Sequence, residues 1–142
     1  MKYLADTNLL SELLKPGPNA EVVRWVDSVG DDLVLSVVTA GELRLGVEHL
    51  PAGKRRRTLG PLVEELIADY YAPELNYGLG TTVVFAELAA RRMRNGTIQS
   101  YPDTLLAALA LEHGLVVVTR NVRHFPDLSV HNPWPEGPAA SK

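Results

Sequence analysis

Leu115-Val116-Val117-Val118-Thr119-Arg120-Asn121 is the stretch that decides the fold. Four apolar residues, three of them β-branched, lie between Gly114 and a polar run. A short, continuous apolar run of this kind reads as a strand buried on both faces, which is the environment of a parallel sheet. Just upstream, Pro102 to His113 has helical character and Gly114 ends it. Before that, Thr81 to Arg94 reads as a helix stopped by Asn95-Gly96. At the far end of the chain, Tyr3-Leu4-Ala5 is a second short apolar run, ending at Asp6. Leu9, Leu10, Leu13 and Leu14 then recur at helical spacing until Pro16-Gly17-Pro18 breaks the pattern.

The middle of the chain repeats the alternation. Asn19 is placed to cap a helix carrying Val22, Val23 and Val26, and Leu33-Val34-Leu35 reads as a strand after the turn at Gly30-Asp31-Asp32. Helices are expected from about Thr39 to His49 and from about Lys54 to Ala68, separated by Pro51-Ala52-Gly53. Short strands are expected near Glu74 to Asn76 and at Leu128 to His131. Strands alternating with helices predict an α/β fold, with a mostly parallel central sheet of about five strands and helices on both faces. A single domain over residues 1–135 follows, with a disordered tail at 136–142 because Pro133, Pro135 and Pro138 forbid regular structure.

Composition narrows the function. The 142 residues contain no cysteine, which excludes disulfides and thiolate metal sites and suits a reducing cytoplasm. The opening residues are too short an apolar run for a signal peptide, and no stretch is long enough to span a bilayer. The net charge of −3 argues against a protein that grips nucleic acid with its whole surface, but not against a local basic rim. Lys54-Arg55-Arg56-Arg57 and Arg91-Arg92-Met93-Arg94 are the basic runs, and each reads first as a solvated helix face, with a phosphate contact as the alternative.

In open parallel sheets ligands bind beyond the carboxyl ends of the strands. Asp6 stands just after the first strand, Thr119 to Asn121 just after the most apolar one, and Glu42 and Asp103 near helix starts. Each acid also has a structural reading. Asp6 or Asn8 can cap a helix, Thr39-Ala40-Gly41-Glu42 fits a capping box, and Asp103 suits the positive end of a helix dipole. Together they are harder to dismiss. Two such carboxylates at 4 Å repel by roughly 4 kcal/mol at an effective dielectric near 20, a penalty that a divalent cation removes.

Four motifs in order resemble the PIN-domain ribonucleases of the VapC toxin type. They are Asp6-Thr7-Asn8, the segment Ser36 to Gly46 around Glu42, Pro102-Asp103 to Ala110, and Val116 to Phe125. Asn132-Pro133-Trp134 matches the ending of one branch. The resemblance implies a PIN-like fold and Mg²⁺- or Mn²⁺-dependent RNA cleavage by metal-activated water. It also implies a role as the toxin of a type II toxin–antitoxin pair, with a cognate antitoxin and a homodimer as expected partners. Asp6, Glu42 and Asp103 would be the catalytic, metal-holding acids, with Asn8, Thr119 and Asn121 supporting them. Family members often carry a fourth acid near Asn121; here it is an amide, which leaves open a non-catalytic RNA- or metal-binding module. Arg44, Arg120 and Arg123 flank the expected site and are candidate RNA contacts. The scattered histidines His49, His113, His124 and His131 are not required for this chemistry. The leucine-rich first helix, with the region Leu43 to Val47, could line a groove for an antitoxin helix. Rival phosphate-handling folds lack their residues: no lysine lies between Lys54 and Lys142, and Asn8 stands where a haloacid-type phosphatase needs a second aspartate.

Overall fold

Tyr3–Ala5 forms the central strand (β1) of a four-stranded, all-parallel sheet in the computed structural model, which describes residues 1–97 and 100–135. On one side β1 pairs with β2 (Leu33–Val34), in the register Tyr3 to Leu33. On the other it pairs with β3 (Val116–Val118), in the register Tyr3 to Val116 and Ala5 to Val118. The outer strand β4 (Val130–His131) pairs with β3, giving the order β2-β1-β3-β4.

Alternation along the strands builds two cores. Leu4, Val34 and Val117 point to one face and pack with α5 (Leu79–Arg94) and α6 (Tyr101–His113), through Leu88, Leu106 and Leu109. Ala5, Leu33 and Val118 point to the other. There they meet α1 (Thr7–Leu13), α2 (Ala20–Val29), α3 (Val37–Glu48) and α4 (Lys54–Tyr70), through Leu9, Val22, Leu43 and Val63. The expected helix boundaries hold to within a few residues. Asn19 caps α2, accepting from the backbone N–H groups of Glu21 and Val22. Gly114 ends α6 in the left-handed conformation (φ 65°), which glycine adopts without strain.

Two expectations are corrected. No strand forms at Glu74–Asn76, so the sheet has four strands rather than five. The edge of β2 gains only a single bridge between Leu35 and Tyr71. Pro73 then removes a donor, and Leu75 N–H turns back to the Ala72 carbonyl at 3.0 Å. Leu75 is apolar because it plugs the core, where it is fully buried. The helix expected from Thr39 begins at Val37, with Ser36 as its N-cap. Thr39 donates instead to the Ala5 carbonyl (3.2 Å), bracing α3 against β1, so Thr39 and Glu42 make no capping box. The expected tail at 136–142 lies outside the described residues. Among the described residues no helix is long and apolar enough to cross a membrane.

Candidate active site

The carboxyl ends of β1 and β3 open into a cavity of about 460 Å³, and the three expected acids all line it. Asp6 is the buried one, at 7 % exposure. It is the N-cap of α1 and also faces the cavity: Oδ1 accepts from Thr7 N–H at 2.8 Å. Oδ2 accepts the Thr119 hydroxyl at 2.8 Å and the Asn8 amide at 3.4 Å. Burial pushes the Asp6 carboxyl above its ordinary 3.8, and the nearby Asp103 and Glu42 charges push the same way. The Thr119 and Thr7 hydrogen bonds oppose the rise.

Glu42 projects from α3, and its Oε1 accepts the Thr7 hydroxyl at 2.6 Å. Asp103 sits in the first turn of α6, whose N-cap Ser100 accepts its backbone N–H at 3.2 Å. Its Oδ2 lies 3.0 Å from His124 Nδ1. Among the described residues no three His, Asp or Glu side chains form a ready-made metal cage. Thr7 and His124 hold two of the acids in place separately. The donor set nonetheless suits a hard cation. It is an oxygen set on three different elements facing one cavity, and two of the acids are close enough to raise the third's pKa.

The supporting residues form one network. Thr119, fully buried, donates to Asp6 and accepts from the Asn8 amide (3.0 Å) and the Asn121 backbone N–H (3.0 Å). The Asn8 carbonyl oxygen accepts from Arg120 N–H at 3.3 Å. Asn121 and Arg120 both line the cavity.

The other two arginine expectations are not met at the cavity. Arg44 points to α4 and makes two hydrogen bonds with Glu64, at 2.7 and 3.0 Å. Arg123 is exposed and does not line the cavity. Within the second basic run, Arg92 is no surface cation. It is 4 % exposed and grips Asp127 with two nitrogens, at 2.8 and 3.0 Å.

Sequence reasoning missed Thr7, Ser11, Glu12, Lys15, His124 and Trp134 as cavity residues. Thr7 and Ser11 carried a signal: i, i+4 spacing puts them on the face that starts beside Asp6, and Lys15 follows just past the end of α1. Of the leucines on α1, Leu9 and Leu10 are fully buried core. Leu13 and Leu14 line a separate groove of about 980 Å³ with Leu59, Leu62 and Leu66 of α4. That groove runs along α4 and takes no residue from the region Leu43 to Val47.

Comparison with known proteins agrees with this architecture. Residues 3–130 match the PIN domain. Toxin FitB of Neisseria gonorrhoeae is 37 % identical over 135 residues, spanning 92 % of this chain and 97 % of its own. VapC ribonuclease Y4jK of Sinorhizobium fredii is 35 % identical over 133 residues, spanning 91 % and 95 %. The crystal structure of FitAcB from Neisseria gonorrhoeae superposes with a TM-score of 0.83 at 34 % identity, covering 94 % of this chain and 99 % of the other. On its fold, its ordered motifs and these relatives, the chain belongs to the PIN domain family and, within it, to the VapC-type toxins.

Proposed function

We propose that the chain is a Mg²⁺- or Mn²⁺-dependent ribonuclease acting as the toxin of a toxin–antitoxin pair. The observation that carries the reading is the buried Asp6 carboxylate, its proton affinity raised by burial and by Asp103 and Glu42 across one cavity. Asp6 and Asp103 would hold the cation directly, and Glu42 directly or through water. When bound, the cation supplies a nucleophilic water at neutral pH and offsets charge building on the phosphate.

The protein's own residues do the rest. Thr119 and Thr7 fix both oxygens of Asp6, so its orientation is set before substrate arrives. His124 fixes Asp103 in the same way. Glu42, which accepts the Thr7 hydroxyl, would orient the attacking water. In-line attack on the phosphodiester leaves a 5′-phosphate and a 3′-hydroxyl. Asn121 stands at the fourth position with a neutral amide, so three acids, Asp6, Glu42 and Asp103, would hold the cation.

The partner reading follows the relatives, whose solved structures include the FitAB and VapBC complexes bound to DNA. The apolar groove between Leu13-Leu14 and α4 is where an antitoxin segment would dock. The exposed Leu79, Val83 and Met93 on α5 give a homodimer a face to bury, and sedimentation of Val83→Glu as a monomer would test it.

A cleavage assay on single-stranded RNA with Mn²⁺ tests the activity. Cleavage by the wild type, lost in EDTA and in Asp6→Asn, is expected. RNA binding with no cleavage under any divalent cation would replace the nuclease with a binding module, the reading that Asn121 favours. Products ending in a 2′,3′-cyclic phosphate would replace metal-activated water with attack by the ribose hydroxyl.

A further inference from the structure

The proposed cleavage chemistry is blind to the sugar. A cation-activated water attacks phosphorus and the ribose 2′-hydroxyl takes no part, so the three acids alone would cut DNA as readily as RNA. Telling the two apart needs a protein group that touches the 2′-hydroxyl, which both donates and accepts hydrogen bonds. Most neutral groups lining the cavity are already committed. The Thr7 hydroxyl is donated to Glu42. The Asn8 amide nitrogen goes to Thr119 and Asp6, and its carbonyl oxygen accepts from Arg120 N–H. Trp134 Nε1 is donated to Glu12. Asn121 differs. It is exposed, it lines the cavity, and its side chain makes no hydrogen bond among the described residues. Its backbone, by contrast, is held on both sides. The N–H donates to Thr119 Oγ1 at 3.0 Å, and that hydroxyl donates to Asp6. The carbonyl accepts His124 N–H at 3.0 Å, and the His124 ring lies against Asp103. A free amide is thus mounted on a backbone tied to the supports of both acids expected to hold the cation directly.

We infer that Asn121 reads the ribose 2′-hydroxyl at the cleaved linkage and makes the site selective for RNA over DNA. This rests on the nuclease reading above. Cleavage that leaves a 3′-hydroxyl frees the 3′ oxygen of one nucleotide, and the 2′-hydroxyl of that nucleotide sits on the adjoining carbon. A residue whose backbone is two hydrogen bonds from Asp6 stands close to both. The amide offers Oδ1 to accept the hydroxyl proton and Nδ2 to donate to its oxygen, whereas an ionised carboxylate only accepts. It also adds no negative charge against the phosphodiester. The amide in place of a fourth acid then has a use of its own, as the group that recognises the sugar. Ser11, also in the cavity and without a side-chain hydrogen bond among the described residues, lies one turn of α1 beyond Thr7 and serves as the control.

The experiment maps the main Mn²⁺-dependent cut in a short single-stranded RNA of mixed sequence, then replaces one 2′-hydroxyl by fluorine. Fluorine keeps the RNA-like sugar pucker but is a poor hydrogen-bonding partner. It is placed on the nucleotide before the cut or on the one after it. The ratio of kcat/KM for unmodified and fluorinated RNA is measured for the wild type, Asn121→Ala and Ser11→Ala. Thermal melts check folding, and calorimetry gives the Mn²⁺ affinity of each. In the wild type and Ser11→Ala, fluorine before the cut should lower kcat/KM about tenfold, the size of one unmade hydrogen bond. Fluorine after the cut should cost less than about twofold. In Asn121→Ala the tenfold loss should shrink below about twofold, because the contact is already gone, while Mn²⁺ affinity stays within about twofold of wild type. A fluorine effect that persists in Asn121→Ala, is absent in the wild type or vanishes in Ser11→Ala overturns the inference. So does Mn²⁺ binding weakened beyond that limit in Asn121→Ala, which would make Asn121 a cation ligand. No cleavage of the unmodified RNA by the wild type overturns the nuclease reading itself.

Discussion

Replacing Thr119 by valine isolates one hydroxyl at the centre of the site. Valine has nearly the shape of threonine, and residue 119 is fully buried, so the packing is kept. Three hydrogen bonds go: the one donated to Asp6 Oδ2 at 2.8 Å, and those accepted from the Asn8 amide and Asn121 N–H, both at 3.0 Å. Asn8 is half-buried and Asn121 exposed, so water can replace part of what they lose. Asp6 has no such relief, and a hydrogen bond to a charged group contributes about 1.5–3 kcal/mol. The total cost is about 2–4 kcal/mol, or a melting temperature lower by roughly 6–12 °C for a domain of this size.

The same substitution has a signature in pH. The Thr119 hydroxyl opposes the rise of the Asp6 pKa, so its removal pushes that pKa still further above 3.8. An acid with a raised native pKa favours folding below its unfolded value, and that contribution disappears as pH rises through the native value. The stability gap between wild type and variant should therefore be smallest near pH 4 and widen toward neutrality. The acid limb of kcat/KM for RNA cleavage should shift to higher pH. Thermal melts in EDTA and a pH–rate profile with Mn²⁺ read both effects. A variant melting within about 1 °C of wild type, with its acid limb unmoved, would refute the reasoning.

Three further outcomes are expected. Asp103→Asn removes one of the two charges that raise the Asp6 pKa while keeping an acceptor for His124. In EDTA its stability relative to wild type should therefore improve as pH rises from about 4 to 7, and a constant difference across that range would count against it. Arg92→Met strands Asp127 and removes the donor that the Thr104 hydroxyl accepts from at 3.2 Å, while that hydroxyl keeps its bond to the Ser100 carbonyl. Because Asp127 is 21 % exposed, the cost should be about 3 kcal/mol rather than the 5 of a fully buried pair. Arg92 holds the Asp127 carboxyl below 3.8, so its contribution is present above that pH and lost as pH falls. The gap to wild type should close in acid, and one that stays open would assign the loss to packing.

The residues that were legible in the sequence are those whose neighbours along the chain explain them. β1 and β3 are short apolar runs with breakers nearby, and Asp6 follows from its place at the end of one of them. Asn19 and Gly114 are caps with local chemistry. The misreadings share another cause. Thr39 with Glu42 fits a capping box locally, yet the Ala5 carbonyl and the Thr7 hydroxyl, more than thirty residues away, take those side chains. Leu75 has the apolarity of a strand but fills a core position after Pro73 has ended the pairing. Arg92 reads as one of a basic run, and only its partner Asp127 explains its burial. His124 and Trp134 reach the cavity through tertiary contacts with Asp103 and Glu12, which no periodicity encodes.

A calorimetric titration of the metal-free protein with Mn²⁺ reaches furthest into the account, because it needs neither the RNA target nor the antitoxin. If the three carboxylates share one cation, the wild type should bind a single ion. At a concentration a hundredfold above its Kd, Mn²⁺ should stabilise the fold by about 2.7 kcal/mol, roughly 8 °C. Asp6→Asn should bind at least about tenfold more weakly, a difference of about 1.4 kcal/mol. Equal affinity in wild type and Asp6→Asn, or no stabilisation of either, would contradict the cation site at its root.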